Sequence, residues 1–156
     1  MNSANPRQHD LLVTGASGRV GRLLAEVWAR DASPVALQYR GPGAPGGGPG
    51  RLRWELAEGD APLRDWAATH GAPRAMLVLA GATPGTGRDL SSNHTLAVAC
   101  LRAARAVGIG RVLVASSSAV YGGGRAQGWA EDDPARPASD YGRAKVEMEA
   151  ACVGWR

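Results

Sequence analysis

The feature that most constrains this chain is Leu11-Leu12-Val13-Thr14-Gly15-Ala16-Ser17-Gly18-Arg19-Val20-Gly21-Arg22-Leu23-Leu24. An apolar run too short for a helix leads into three glycines spaced three apart, and apolar positions of helical period follow at Val20, Leu23, Leu24, Val27 and Trp28. The pattern predicts strand, tight turn and helix. Glycine suits such a turn because it permits positive φ, lets backbone approach a diphosphate, and lets the helix sit close on the strand. The start of that helix would then present free N–H groups to a phosphate. Gly15, Ser17, Gly18, Arg19, Val20 and Gly21 are the candidate contacts. An ordinary glycine turn is the alternative, and the rest of the chain has to decide between them.

The remaining pattern repeats the same rhythm. Pro34 to Arg40 reads as a second buried strand, at the distance a βαβ unit requires. The segment Gly41 to Gly50, glycine and proline with a single alanine, cannot hold a helix or an interior strand and reads as a flexible loop. Leu52 to Leu56 resumes strand-like alternation, and a short helix runs to about His70 with Asp60 as N-cap and Pro62 in the first turn. Ala75 to Leu79 is a fourth strand. It ends in the small-residue turn Ala80-Gly81-Ala82-Thr83-Pro84-Gly85, where a cofactor would meet bare backbone. A long helix follows from Leu90 to Val107, ended by Gly108 and Gly110, then a fifth strand over Arg111 to Ala115. After Ser116 to Gly122 comes a loop from Gly123 to Ala138, and a last helix starts near Ser139. Strands alternating with helices in this way predict one α/β domain over 1–156, a parallel, doubly wound (Rossmann-type) sheet of about five strands.

Length and composition agree with that class and exclude several functions. A chain of 156 residues with 44% hydrophobic and 21% charged residues buries a real core. The net charge of +4 comes from scattered arginines, Lys145 being the only lysine, and no dense basic run interleaved with aromatics points to nucleic acid. Cys100 and Cys152 lie far apart without a CxxC and read as reduced thiols. His9, His70 and His94 lack the spacing of a zinc site, so no metal is assigned. The polar N-terminus and the absence of an apolar run near ~18 residues argue against a signal peptide or a membrane span, and the expected compartment is the cytoplasm.

Chemistry gathers in three places. Arg40 lies nineteen positions beyond Gly21, near where such units read the adenosine ribose. A carboxylate there suits the 2′-hydroxyl of NAD; Gln38-Tyr39-Arg40 offers none, while Arg19 and Arg40 offer guanidiniums for a 2′-phosphate, which favours NADP with NAD possible. Tyr141 and Lys145, four apart on the last helix, share one face, where an ammonium favours the phenolate used in proton transfer. Ser117 follows a strand on the carboxyl side of the sheet, where open α/β proteins bind ligands, and its hydroxyl suits a substrate oxygen.

Taken together and in this order, Thr14 to Gly21, Ser116 to Gly122 and Tyr141-Gly142-Arg143-Ala144-Lys145 resemble the extended short-chain dehydrogenase/reductase family, the sugar-nucleotide epimerase/dehydratase group. The resemblance runs from about Leu11 to the C-terminus. It implies Ser117 as the catalytic hydroxyl residue, Tyr141 as acid/base, and Lys145 as the residue that binds nicotinamide ribose and tunes the tyrosine. It also implies cofactor contacts at Ala80, Gly81, Ala82 and Asn93, with Glu55 or Asp60 near the position of an adenine-contacting aspartate. Two departures stand out: no acid ends the second strand, and the parts that complete the family's sheet and select its substrate have no counterpart before Arg156.

The resemblance therefore implies the N-terminal, cofactor-binding part of an NAD(P)-dependent oxidoreductase or epimerase/dehydratase, truncated, with a small-molecule substrate such as a nucleotide sugar. A catalytically silent dinucleotide-binding module or cofactor sensor is the alternative. In a chain of this extent the fifth strand would be an edge, and it and the helices from Leu90 and Ser139 would show apolar surface, so a homo-oligomer or self-association is expected.

Overall fold

The computed structural model describes residues 9–41, 50–123 and 128–155. Five strands form one parallel sheet: β1 (Leu11–Thr14), β2 (Val35–Tyr39), β3 (Arg51–Arg53), β4 (Ala75–Val78) and β5 (Arg111–Val114), in the order β3-β2-β1-β4-β5. Four helices join them in the alternating manner: α1 (Arg19–Arg30), α2 (Ala61–His70), α3 (Ser92–Ala106) and α4 (Asp140–Val153). Short 3-10 turns occupy Leu56–Glu58 and Ser118–Tyr121. This is the doubly wound α/β class that the sequence rhythm predicts. Most of the glycine-proline segment (residues 42–49) and part of the expected loop after Gly123 (residues 124–127) lie outside the described residues.

The described residues fall into two compact units. The first holds the chain up to Ala80 together with Ala99–Ala115, and so contains the whole sheet. Its centre is β1, where Leu12, Val13 and Thr14 are fully buried in register with Ala36 and Leu37 of β2 and with Met76, Leu77 and Val78 of β4. Leu63 and Trp66 of α2 and Cys100, Ala103 and Ala104 of α3 are buried in the same unit. Burial pushes the Cys100 thiol up to about 12, so it stays protonated and inert, its sulfur 4.0 Å from the Thr14 hydroxyl.

Element boundaries shift where side chains take over from propensity. β3 stops at Arg53 rather than Leu56 because Trp54 turns inward: its amide donates to the Tyr39 carbonyl (2.9 Å) and its indole to the Gly59 carbonyl (2.6 Å). α3 starts at Ser92 because Leu90 and Ser91 form a turn whose carbonyls accept from the amides of Asn93 and His94. Asp60 occupies the N-cap position of α2, yet its carboxylate pairs with Arg64 at 3.3 Å and accepts no capping bond.

α1 departs furthest from expectation. Its only buried residue is Gly21, with Leu24, Ala25 and Trp28 half-buried at the helical offsets that continue that face. Val20, Leu23 and Val27 form an adjacent stripe that is 55%, 61% and 49% exposed. Among the described residues half of the large exposed apolar side chains thus lie on α1, the others being Leu113 of β5, Trp129 and Val153 of α4; α3 contributes none.

The second unit comprises Gly81–Val98 and the chain from Ser116 onward. Its frame is α4 packed on the 3-10 turn Ser118–Tyr121. Among the described residues no helix is long and apolar enough to cross a membrane.

Candidate functional site

In the first unit the three glycines of the turn have different duties. Gly15 sits at φ +77°, and a Cβ there would stand 2.7 Å from the Ala80 amide nitrogen. A Cβ at Gly21 would collide with the Gly15 carbonyl oxygen and the Ala16 backbone, so α1 can close on the turn only with glycine at that position. Gly18 is different: its Cβ would meet the Gly15 carbonyl at 3.1 Å and no other neighbour. Gly15 and Gly21 are required by packing, whereas Gly18 leaves a space beside the helix start. The first α1 bond runs from the Arg22 N–H to the Gly18 carbonyl (2.9 Å), so the amides of Arg19, Val20 and Gly21 lie ahead of the helical ladder, and no acid occupies the first turn. That geometry fits an anionic group such as a diphosphate.

Gln38 holds this turn and was visible in the sequence only as a missing acid. Its Oε1 accepts from the Gly15 N–H (2.8 Å), its Nε2 donates to the Trp54 carbonyl (2.5 Å), and its own carbonyl accepts from the Ala16 N–H (3.2 Å). The side chain is buried, and every bond it makes ties the turn to the ends of β2 and β3. Strand alternation with Ala36 places Gln38 inward, and an inward amide needs partners, which was the available signal. Ser17, Arg19 and Arg40 are exposed. The parallel register pairs Tyr39 with Arg53, so a further exposed arginine stands at the end of β3; only strand pairing reveals it.

The second unit brings together most of the remaining candidates. Asn93 is buried, with its Oδ1 accepting from the Ala82 N–H (3.2 Å) and its Nδ2 donating to the carbonyls of Ala82 (3.0 Å) and Leu90 (2.9 Å). It shapes the turn at Gly81 and Ala82. A Cβ on Gly81 would stand 2.5 Å from Asn93 Oδ1 and 3.9 Å from Lys145 Nζ, so the bare Gly81 backbone lies next to the lysine ammonium. Lys145 is only 6% exposed, with Nζ 3.6 Å from Met148 Sδ and 5.9 Å from the centre of the Tyr141 ring. Burial pulls its ammonium below the ordinary lysine range, while Glu149 and Cys152 oppose that shift.

Ser117 caps the 3-10 turn, its Oγ accepting from the Ala119 N–H at 3.2 Å, which leaves the hydroxyl proton free to be donated. The start of α4 is seated on that turn by Gly142, where a Cβ would collide with the Ala119 carbonyl. Ser139 caps α4 by accepting from the Gly142 N–H at 3.1 Å. Gly122, at φ +90°, lets the returning chain pass: a Cβ would collide with the Arg136 carbonyl, and the Arg136 N–H donates to Val120 at 2.9 Å. Ser117, Tyr141 and Lys145 thus belong to one locally packed assembly. Neither Gly142 nor Gly122 was singled out in the sequence, because their constraint comes from segments distant in the chain. No group of three or more histidine, cysteine or acidic residues suited to a metal is found among the described residues.

A parallel doubly wound sheet with a glycine turn after its first strand is the architecture of the dinucleotide-binding α/β proteins. The chain belongs to the NAD dependent epimerase/dehydratase family, whose model matches residues 11–156. It is similar to a putative epimerase from Burkholderia cenocepacia (28% identity, TM-score 0.72), covering 97% of this chain and 51% of that one. MoeE5, solved with UDP-glucose and NAD, is 28% identical with a TM-score of 0.72 over 94% of this chain and 48% of that one. WbmG of Bordetella bronchiseptica, solved with NAD and UDP, shares the fold at 22% identity and TM-score 0.70, covering 94% of this chain and 50% of that one. The chain therefore spans about half the length of the solved structures it matches. No curated protein matches it.

Proposed function

We propose that this chain supplies the dinucleotide-binding and proton-relay part of an NAD(P)-dependent epimerase, dehydratase or reductase acting on a nucleotide sugar, in the cytoplasm. The observation that carries the reading is the chain's only lysine, buried beside the Tyr141 ring and the Gly81 backbone in an otherwise arginine-based protein. A compact ammonium fits such a site where a guanidinium would not. Family membership and the NAD, UDP and UDP-glucose bound by MoeE5 and WbmG support the cofactor and substrate classes.

In this reading the turn Gly15 to Gly21 receives the diphosphate through its free amides, and Arg19 and Arg40 take the 2′-phosphate of NADP. Gly81 and Ala82 present backbone to the cofactor while Asn93 keeps their shape. The nicotinamide, when bound, exchanges a hydride with a substrate carbon. Tyr141 passes a proton to or from the substrate oxygen, Ser117 donates a hydrogen bond to that oxygen, and Lys145 holds the ribose beside the Tyr141 ring.

Fluorescence titration with NADPH and NADH at fixed salt tests this. Tighter binding of NADPH is expected, and Arg40→Ala should weaken it about ten- to a hundredfold with NADH little changed, since a charge-assisted bond contributes about 1.5 to 3 kcal/mol. Equal or tighter NADH binding overturns the NADP assignment, and binding of neither overturns the whole reading. Self-association is also proposed, supported by the β5 edge with Leu113 51% exposed and by the α1 stripe. Sedimentation at micromolar concentration should show species larger than the monomer, and a monodisperse monomer refutes it.

A further inference from the structure

We propose that Arg53 is a specificity-determining residue of the cofactor site, a third guanidinium that joins Arg19 and Arg40 on the 2′-phosphate of the dinucleotide. The inference rests on the proposed function for the class of cofactor. Spacing along the chain singles out Arg19 and Arg40 only, because Arg53 belongs to another strand. Pairing of the strands brings it to the same place. β2 and β3 run parallel with Tyr39 opposite Arg53, and the Trp54 N–H extends the ladder by donating to the Tyr39 carbonyl (2.9 Å). Paired strands lie about 4.8 Å apart, so the Cα atoms of Arg53 and Arg40 stand within about 9 Å of each other at the carboxyl ends of their strands. Leu52 and Gln38, also paired, are both buried, which turns Arg53 to the opposite face, where it is exposed.

The end of β3 is also fixed to the glycine turn. Gln38 lies buried between them, its Oε1 accepting from the Gly15 N–H and its Nε2 donating to the carbonyl of Trp54, the residue after Arg53. Trp54 is buried in turn, with its indole donating to the Gly59 carbonyl. One amide side chain therefore connects the turn that offers its N–H groups to an anion with the strand end that carries Arg53. Arg19 opens α1 from that turn, so the three arginines come from a helix start and two neighbouring strand ends.

Charge points to a phosphate. Among the described residues no ion pair engages Arg19, Arg40 or Arg53. Glu55, two residues beyond Arg53, is half-buried and pairs with none of them, and the segment from Gly41 to Gly50 contains no acid. Like charges brought together without a carboxylate repel one another. A phosphate offsets that repulsion and offers oxygens that match the planar guanidinium fork, whereas a ribose 2′-hydroxyl, being neutral, offsets nothing.

The adenosine half of the cofactor tests this without any assay of turnover, because adenosine 2′,5′-bisphosphate and adenosine 5′-phosphate differ only in the 2′-phosphate. Calorimetric titration of the full chain at fixed salt should show wild type binding the bisphosphate more tightly. Arg53→Ala should weaken that binding at least about tenfold and leave the 5′-phosphate within about twofold, while Arg53→Lys, which keeps the charge but loses the fork, should recover only part of the loss. Arg53 is exposed, so the variants keep the wild-type fold, checked by circular dichroism. An Arg53→Ala protein that binds the bisphosphate as wild type does overturns the proposal and leaves the assignment of Arg19 and Arg40 standing. Equal loss of both ligands overturns it too, since Arg53 would then serve the adenosine and not the 2′-phosphate. Wild type that binds the 5′-phosphate at least as tightly as the bisphosphate overturns the proposal together with the NADP assignment, and leaves dinucleotide binding at the glycine turn intact. Binding of neither compound overturns both the proposal and the function on which it rests.

Discussion

The glycine turn of the first unit and the Ser117, Tyr141 and Lys145 assembly of the second place backbone and side chain in opposite roles. In the turn, side chains are excluded: Gly15 and Gly21 leave no room for a Cβ, and the groups offered outward are amides and the space beside Gly18. In the second unit polar side chains are what the fold gathers, and glycines bring them together, Gly142 against Ala119 and Gly81 against Asn93 and Lys145. The comparison teaches that packing can demand glycine at two positions of one turn and leave a third, three residues from each, free of that demand. Local motif spacing does not distinguish the two; the surrounding atoms do.

The comparison breaks most readily at its packing glycines. Gly21→Val and Gly142→Val each force a branched side chain onto a backbone carbonyl, and each should destabilise the fold by about 3 kcal/mol or more, read by urea unfolding. Gly18→Val should behave differently, retaining a cooperative melt near that of wild type while weakening NADPH binding at least about tenfold. A Gly18→Val protein that unfolds, or one that binds normally, would erase the distinction between packing and ligand glycines.

The smallest effect sharpens the contrast from the first unit's opposite end. His9 is buried at the entry to β1, its ring tilted against Trp66 (5.2 Å), which is itself stacked on His70 (4.9 Å), and its Nδ1 has no partner. Burial, with His70 adding to it, holds its imidazole below the ordinary histidine range. The unfolded chain therefore takes up this proton more readily than the folded one. The contribution to stability is complete above about pH 6.5 and is lost as pH falls through the lowered folded-state value. Melting temperatures from pH 7.5 to 5 should fall for wild type and fall less for His9→Phe; parallel curves would remove His9 from the account.

Several features were determined by the sequence alone because they depend on local period and local sterics. The turn from Thr14 to Gly21, the alternation of strands and helices, and the pairing of Tyr141 with Lys145 on one helix face need only the spacing of residues and the freedom of glycine. Boundaries failed where a distant partner intervened, as when Trp54 ended β3 by bonding to Gly59 and Tyr39. Tertiary structure alone decided that Gln38 ties the turn to two strand ends, that Asn93 shapes a backbone turn, and that α1 faces inward through Gly21, Leu24 and Trp28 and leaves Val20, Leu23 and Val27 exposed. The helical period gives an apolar arc wide enough for either face. Which side is buried depends on where Gly21 permits backbone to approach backbone, and that is set by atoms of the turn folded back against the helix.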